Sequence, residues 1–251
     1  IYVLGALIHN PQVVNKLEAR GLKTISSLTE VKSGRVIVRS HGAPPEFYQE
    51  AREKGLEVVD ATCPLVKRAQ QAAALLKREG YRVVLIGEED HPEVQGIKGY
   101  SGEETLVFQD VRTLGHQKLG RKVGLVIQTT QPVEAFHQAA QTLLERVAGE
   151  LRIFNTLCPF TLSRQREAEE LAGRVEVILV VGGRNSANTA RLREICLLRQ
   201  SATFLIETAD ELKREWLEGK EKIGIATGAS TPPWIIEEVQ RKVQGFLNLG
   251  S

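Results

Sequence analysis

Asp60-Ala61-Thr62-Cys63-Pro64 leads into a helix-spaced segment, then a β-branched run ending at Gly87, then Glu88-Glu89-Asp90-His91-Pro92-Glu93. The same plan returns 95 residues later. Asn155-Thr156-Leu157-Cys158-Pro159 leads into a second helical segment, a run ending at Gly182, and Gly183-Arg184-Asn185-Ser186-Ala187-Asn188. Cysteine to glycine is 24 residues in both copies, and His91 and Ser186 stand at the same phase. A fixed period marks repeated supersecondary units. Short apolar runs alternating with amphipathic segments make those units α/β with parallel strands.

Around this repeat, strands are predicted at Arg35 to Arg39, Tyr81 to Ile86, Lys122 to Gln128, Val175 to Val181, Thr203 to Ile206 and Lys222 to Ala226, with Ile1 to Leu4 also strand-like. Apolar residues at helical spacing predict helices over Pro64 to Arg78, Val133 to Val147, Leu162 to Ala172, Asn188 to Arg199 and Pro233 to Phe246. A second pattern, small polar residues after a strand and then a helix-starting proline, occurs at Ser40-His41-Gly42-Ala43-Pro44, Gln128-Thr129-Thr130-Gln131-Pro132 and Gly228-Ala229-Ser230-Thr231-Pro232. The expected fold is α/β: a trefoil of three pseudo-three-fold-related units with parallel sheets, their strand C-terminal ends facing a central cavity. The units are read as residues 1–61, a remnant of the first, 62–156, and 157–251 with a C-terminal helix.

Of 251 residues, 42% are hydrophobic and 25% charged, a globular composition that excludes disordered and fibrous classes. A net charge of +2 offers no field for non-specific nucleic-acid binding. No apolar run approaches a membrane span. Three widely spaced cysteines form no disulfide framework and fit a reducing compartment, so the expected location is cytoplasmic. The chain contains no Met and opens on a strand, which reads as a missing natural N-terminus.

Cys63 and Cys158 each precede a helix-starting proline, where the helix dipole favours thiolate. They are too far apart for a paired zinc knuckle, but an iron–sulfur cluster accepts thiolates from separate segments. The alternative is a small buried residue before each helix-starting proline, and the matching repeat positions weigh against it. Cys196, between Ile195 and Leu197 on a helix, reads as core. Glu93 follows three acidic residues in what reads as a loop, and a cleft carboxyl there could deliver a proton. His9, His41 and His91 fall at turns near strand ends, whereas His116 and His137 read as surface. Ser186 and Asn188 could simply cap a helix. Together with Thr129, Ser230, His9 and His41 they form a set of neutral donors at ligand-facing strand ends, suited to a diphosphate without a Walker-type loop.

The ordered motifs Ile8-His9-Asn10-Pro11, Ser40-His41-Gly42, Asp60-Ala61-Thr62-Cys63-Pro64, His91-Pro92-Glu93-Val94, Gln128-Thr129-Thr130-Gln131, Asn185-Ser186-Ala187-Asn188-Thr189 and Gly228-Ala229-Ser230-Thr231-Pro232 resemble the LytB family of 4-hydroxy-3-methylbut-2-enyl diphosphate reductases along nearly the whole chain. The resemblance implies a trefoil around a [4Fe–4S] cluster and the last step of the non-mevalonate isoprenoid pathway. In that step the allylic hydroxyl is removed with two electrons and two protons, giving isopentenyl and dimethylallyl diphosphate. By the same resemblance Cys63 and Cys158 are two of three cluster thiolates, Glu93 is the proton source and Thr129 sits in a relay. His9, His41, His91, Thr129, Ser186, Asn188 and Ser230 hold the substrate. The resemblance implies a ferredoxin or flavodoxin as electron donor, and neither nucleic acid nor a membrane is expected as a partner. The family's first cluster cysteine lies upstream of the segment matching Ile1, and Ala187 stands where many relatives carry a second serine. Two other readings remain: a cluster-less module that binds isoprenoid diphosphates, and a metal-dependent phosphohydrolase using the His and Glu residues.

Overall fold

The structure, a computed structural model, describes residues 1–248. Its strands form three separate sheets, all with parallel pairing. The first contains β1 (Tyr2–Leu4), β2 (Lys23–Ile25), β3 (Arg35–Val38) and β4 (Glu57–Asp60), with α1 (Pro11–Glu18) and α2 (Pro45–Glu53) in its connections. After α3 (Pro64–Arg78), the second contains β5 (Arg82–Ile86), β6 (Leu106–Phe108), β7 (Lys122–Ile127) and β8 (Glu150–Ile153), with α4 (Pro92–Ser101) and α5 (Val133–Arg146). After α6 (Pro159–Ala172), the third contains β9 (Val177–Val181), β10 (Thr203–Ile206) and β11 (Ile223–Thr227), with α7 (Ala187–Arg199) and α8 (Pro233–Asn248).

The repeat in the sequence is a repeat in topology. The strand orders are β2-β1-β3-β4, β6-β5-β7-β8 and β10-β9-β11, so the first strand of every sheet is central and its successors flank it. Residues in the middle of a parallel sheet are covered on both faces and read as continuous apolar runs. Val177–Val181 is buried throughout, and Val83–Ile86 and Val123–Ile127 likewise. Each sheet packs its own apolar cluster: Ile25, Val36, Phe47 and Leu56 in the first, Leu76, Leu85, Ile97 and Val126 in the second, and Leu179, Ile206, Ile235 and Val239 in the third.

The chain divides into two compact units, one of Ile1–Leu7 and Arg20–Cys158, the other of Ile8–Ala19 and everything from Pro159 onward. The first thus carries two sheets, and the second carries the third sheet together with α1.

The predicted helix over Pro64 to Arg78 is observed with those bounds. Two expectations need correction. The prolines of the strand–polar–Pro pattern were expected inside the first helical turn, but Pro44 and Pro132 occupy the N-cap position itself, in extended backbone. The acidic stretch ending at Glu93 was expected to be a loop outside the core. Instead Pro92 and Glu93 open α4, and Glu93 is only 2% exposed, because α4 lays its first turn against the end of β7.

Candidate functional site

In all three sheets the central strand ends at a glycine, and a polar residue four or five positions later caps the following helix. Asn10 Oδ1 accepts from the Val13 N–H, His91 Nδ1 from the Glu93 N–H at 3.2 Å, and Ser186 Oγ from the Thr189 N–H at 3.3 Å. Capping satisfies a helix-terminal donor that the helix itself cannot. It also decides what each side chain has left to offer. A neutral imidazole whose Nδ1 accepts carries its proton on Nε2. A capping hydroxyl still has its own proton to donate.

In the first compact unit, Glu93 and Thr129 form a buried pair. The Thr129 N–H donates to Glu93 Oε1 at 2.6 Å and its hydroxyl to Oε2 at 2.9 Å, with Thr129 itself 5% exposed. Burial pushes the Glu93 carboxyl up to about 7 from an ordinary 4.5, and the two hydrogen bonds from Thr129 only partly offset it. A carboxyl that titrates near neutrality is poised to give and take protons. His91, two residues before Glu93, meets His41 edge to face with ring centroids 5.4 Å apart. The His41 turn depends on Gly42, whose φ is +79°, and an added Cβ there would lie 2.3 Å from Gln70 Nε2.

The two candidate thiols stand in this same unit, each partly exposed and at the start of a helix. The Cys63 N–H donates to Ser40 O at 3.0 Å and the Cys158 N–H to Thr129 O at 2.9 Å, so each is tied to the polar loop after the neighbouring strand. Two soft, accessible thiols in equivalent turns fit part of an iron–sulfur ligand set. Cys196 does not fit it: it is fully buried on α7, its Sγ lies 3.7 Å from Ala168 O, and burial pushes its thiol up to about 11.

The second compact unit gathers His9, Ser186, Asn188 and Ser230. Ser230 Oγ donates to His9 O at 3.3 Å. The same carbonyl rests on Gly183, where a Cβ would come within 2.3 Å, so the close approach requires glycine. Asn188 is 7% exposed, yet neither its Oδ1 nor its Nδ2 has a hydrogen-bond partner among the described residues. Burying an amide unsatisfied is costly, and native sites of this kind await a polar ligand. His116 and His137 lie on the surface, as read from the sequence.

Sequence reasoning passes over Gln128. It is fully buried, its Oε1 accepts from the Glu88 N–H at 3.0 Å and its Nε2 donates to Thr130 Oγ1 at 3.1 Å. It therefore joins the segment before His91 to the loop that carries Thr129. Its place directly before Thr129, at the end of an apolar strand, is the signal that could have found it.

A family model described as LytB protein matches residues 1–244. The chain is 47% identical over 242 residues to the 4-hydroxy-3-methylbut-2-enyl diphosphate reductase of Pelobacter propionicus, covering 96% of this chain and 86% of that protein. It is 45% identical over 247 residues to the enzyme of that name from Geobacter sulfurreducens, covering 98% and 87%. A solved structure of (E)-4-hydroxy-3-methyl-but-2-enyl diphosphate reductase, described as the terminal enzyme of the non-mevalonate pathway, aligns with a TM-score of 0.72 at 44% identity, over 98% of this chain and 88% of that one. The E-1-hydroxy-2-methyl-but-2-enyl-4-diphosphate reductase of Plasmodium falciparum aligns with a TM-score of 0.87 at 28% identity, over 99% and 77%. The α/β fold with parallel sheets is thus the fold of these reductases.

Proposed function

Because the chain belongs to the LytB family and is an oxidoreductase, we propose that it reduces 4-hydroxy-3-methylbut-2-enyl diphosphate to isopentenyl and dimethylallyl diphosphate. The observation that carries this reading is the buried Glu93–Thr129 pair, a proton source near neutrality whose Thr129 carbonyl holds the turn of the partly exposed Cys158. The reaction consumes two electrons and two protons. The allylic C–O bond breaks, the oxygen leaves as water, and the second proton goes to carbon.

Cys63 and Cys158 would hold a [4Fe–4S] cluster, which supplies, when bound, the electrons and a Lewis-acidic iron. A ferredoxin or flavodoxin would deliver those electrons. The protein's own residues handle the proton. With Glu93 ionised, both Thr129 donors point at the carboxylate. Once Glu93 is protonated on Oε2, its O–H donates to Thr129 Oγ1, and the threonine proton must turn toward another acceptor. The threonine proton then passes to the departing hydroxyl while the Glu93 proton moves onto Thr129 Oγ1 behind it, which turns hydroxide into water and leaves Glu93 ionised. In the first unit, His41 and His91 are proposed as imidazole donors to the substrate; in the second, His9, Ser186, Asn188 and Ser230 are proposed as its imidazole, hydroxyl and amide donors. Asn188 supports this reading, since its buried amide has no partner among the described residues and its N–H groups could donate to a ligand oxygen. Residues 1–61, 62–156 and 157–251 are proposed as the three repeats of this fold, and the location as cytoplasmic. Among the described residues, no helix is long and apolar enough to cross a membrane.

Anaerobic reconstitution of the full-length gene product with iron and sulfide, followed by substrate and a reduced viologen, tests the reading. Two viologens should be oxidised per diphosphate product, and Glu93→Gln should bind substrate while turnover falls by about two orders of magnitude or more. Release of inorganic phosphate without reductant would replace the reading with a phosphohydrolase. Tight diphosphate binding with no iron uptake would replace it with a binding module.

A further inference from the structure

We propose that Lys67 and Arg68, neighbours on α3, are positioning residues that clamp the two cysteine-bearing turns into one frame for the metal centre. The inference rests on the reading that Cys63 and Cys158 hold the cluster, and all its parts lie in the first compact unit.

The two turns are built alike. Asp60 Oδ1 accepts from the Thr62 N–H at 3.0 Å and also from the Thr62 hydroxyl. Asn155 Oδ1, 95 residues on, accepts from the Leu157 N–H at 3.1 Å. In both, an Asp or Asn side chain folds the backbone two residues ahead and so presents the cysteine that follows. Each turn is then fastened to its sheet. The first is held by Ala61 N–H to Val38 O and Cys63 N–H to Ser40 O, both at 3.0 Å. The second is held by Cys158 N–H to Thr129 O and by the Thr156 hydroxyl, which accepts from the Ile127 N–H at 3.0 Å and donates to Ile127 O.

Those bonds fix each thiol relative to its own strand, but not the distance between thiols. The two turns sit on different sheets, after β4 and β8. Among the described residues, a side-chain tie across that gap comes from α3, the helix that Cys63 starts. Lys67 Nζ pairs with Asp60 Oδ2 at 2.7 Å, gripping the near turn. The next residue, Arg68, donates from its guanidinium to Asn155 O at 2.6 Å, gripping the far one. A charged donor on a carbonyl is among the stronger hydrogen bonds, and two grips from adjacent residues of one helical turn hold a fixed spacing. A ligand set drawn from separate segments needs such support, because metal affinity falls when outer groups stop orienting the ligands.

The test uses the full-length protein, reconstituted anaerobically, with iron loss to a chelator followed over time. Arg68→Ala should lose iron about five- to tenfold faster than the parent, while Arg68→Lys, which can still donate to the carbonyl, should fall within about twofold of it. Arg78→Ala, an equally exposed change at the far end of α3, should behave as the parent. Without metal, the Leu157 and Cys158 amides of Arg68→Ala should exchange faster with solvent, and its thermal midpoint should stay within about 2 °C of the parent. Equal retention by Arg68→Ala and parent overturns the clamp, as does failure of Arg68→Lys to restore retention. If the parent takes up no iron, the cluster reading falls and the clamp with it. The two failures are told apart by the parent alone.

Discussion

A buried carboxyl that ionises near 7 leaves a signature on stability that needs neither substrate nor cluster. Glu93 is 2% exposed, and burial lifts it to about 7 from 4.5. The unfolded chain therefore loses this proton near pH 4.5, whereas the folded chain keeps it to about 7. Because the folded state binds the extra proton in that window, stability is fully present below 4.5, declines as pH rises, and levels off above 7. The slope is about 1.4 kcal/mol per pH step, so between pH 5 and 8 the metal-free protein should lose about 2.5 kcal/mol of unfolding free energy from this residue. Glu93→Gln removes the titration yet keeps an oxygen that can accept from the Thr129 N–H, so its urea midpoint should vary less with pH by that amount. Urea denaturation of parent and variant at half-unit pH steps measures the difference. Parallel curves would refute the claim that Glu93 holds a proton at neutrality in the folded protein, and with it the relay through Thr129.

Two further outcomes follow from the second compact unit. Asn188→Ala removes a buried amide with no partner among the described residues, so it should cost little folding stability and weaken substrate binding by about 1–3 kcal/mol, read as a raised KM or as loss of calorimetric heat with a diphosphate analogue. Cys196→Ala should lower the thermal midpoint by a few degrees through lost packing against Ala168, Ile178 and Leu192, with iron per chain unchanged.

How far the sequence could be read depended on how far each element is covered. The central strands β5, β7 and β9 were legible because burial on both faces writes them as nearly unbroken apolar runs, whereas β1 and β3, only partly buried, were legible from their β-branched and aromatic residues. The unread strands β2, β4, β6 and β8 are the edges of the first two sheets, three or four residues long and partly exposed, and their composition barely differs from a loop. Helix α4 escaped for a different reason. Its Gly96 and Gly99 depress helix propensity; Gly99 faces Pro44 so closely that a larger residue would not fit, and Gly96 sits tightly against Gln70. The Glu93 carboxyl was legible as a candidate acid and illegible as a core residue, since lone carboxylates are seldom buried and this one is held by Thr129, 36 residues away in the chain. Arg68 was illegible altogether: its partner is a backbone oxygen 87 residues away, which no local pattern announces.

The repeat explains why one architecture can hold unlike chemistries. Each sheet ends its central strand at a glycine and then offers a cap position, and the backbone need at that position is the same in every copy: one acceptor for a helix-terminal N–H. Asparagine, histidine and serine all meet it, so the fold does not decide among them. What differs is the group left over after capping. Asn10 retains an amide NH2, His91 an Nε2 proton, and Ser186 a hydroxyl proton. Each is a donor, none carries a fixed charge, and each is aimed by the capping hydrogen bond its side chain accepts. Divergence at a cap therefore changes the reach and acidity of a donor without disturbing the helix behind it. His91 shows the consequence most fully. The N–H that fixes its tautomer belongs to Glu93, so movement of the α4 N-terminus displaces the imidazole and the carboxyl together. Substituting His91 by a residue that caps equally well, such as asparagine or serine, preserves the Glu93 position while removing the imidazole. Substituting it by alanine disturbs both.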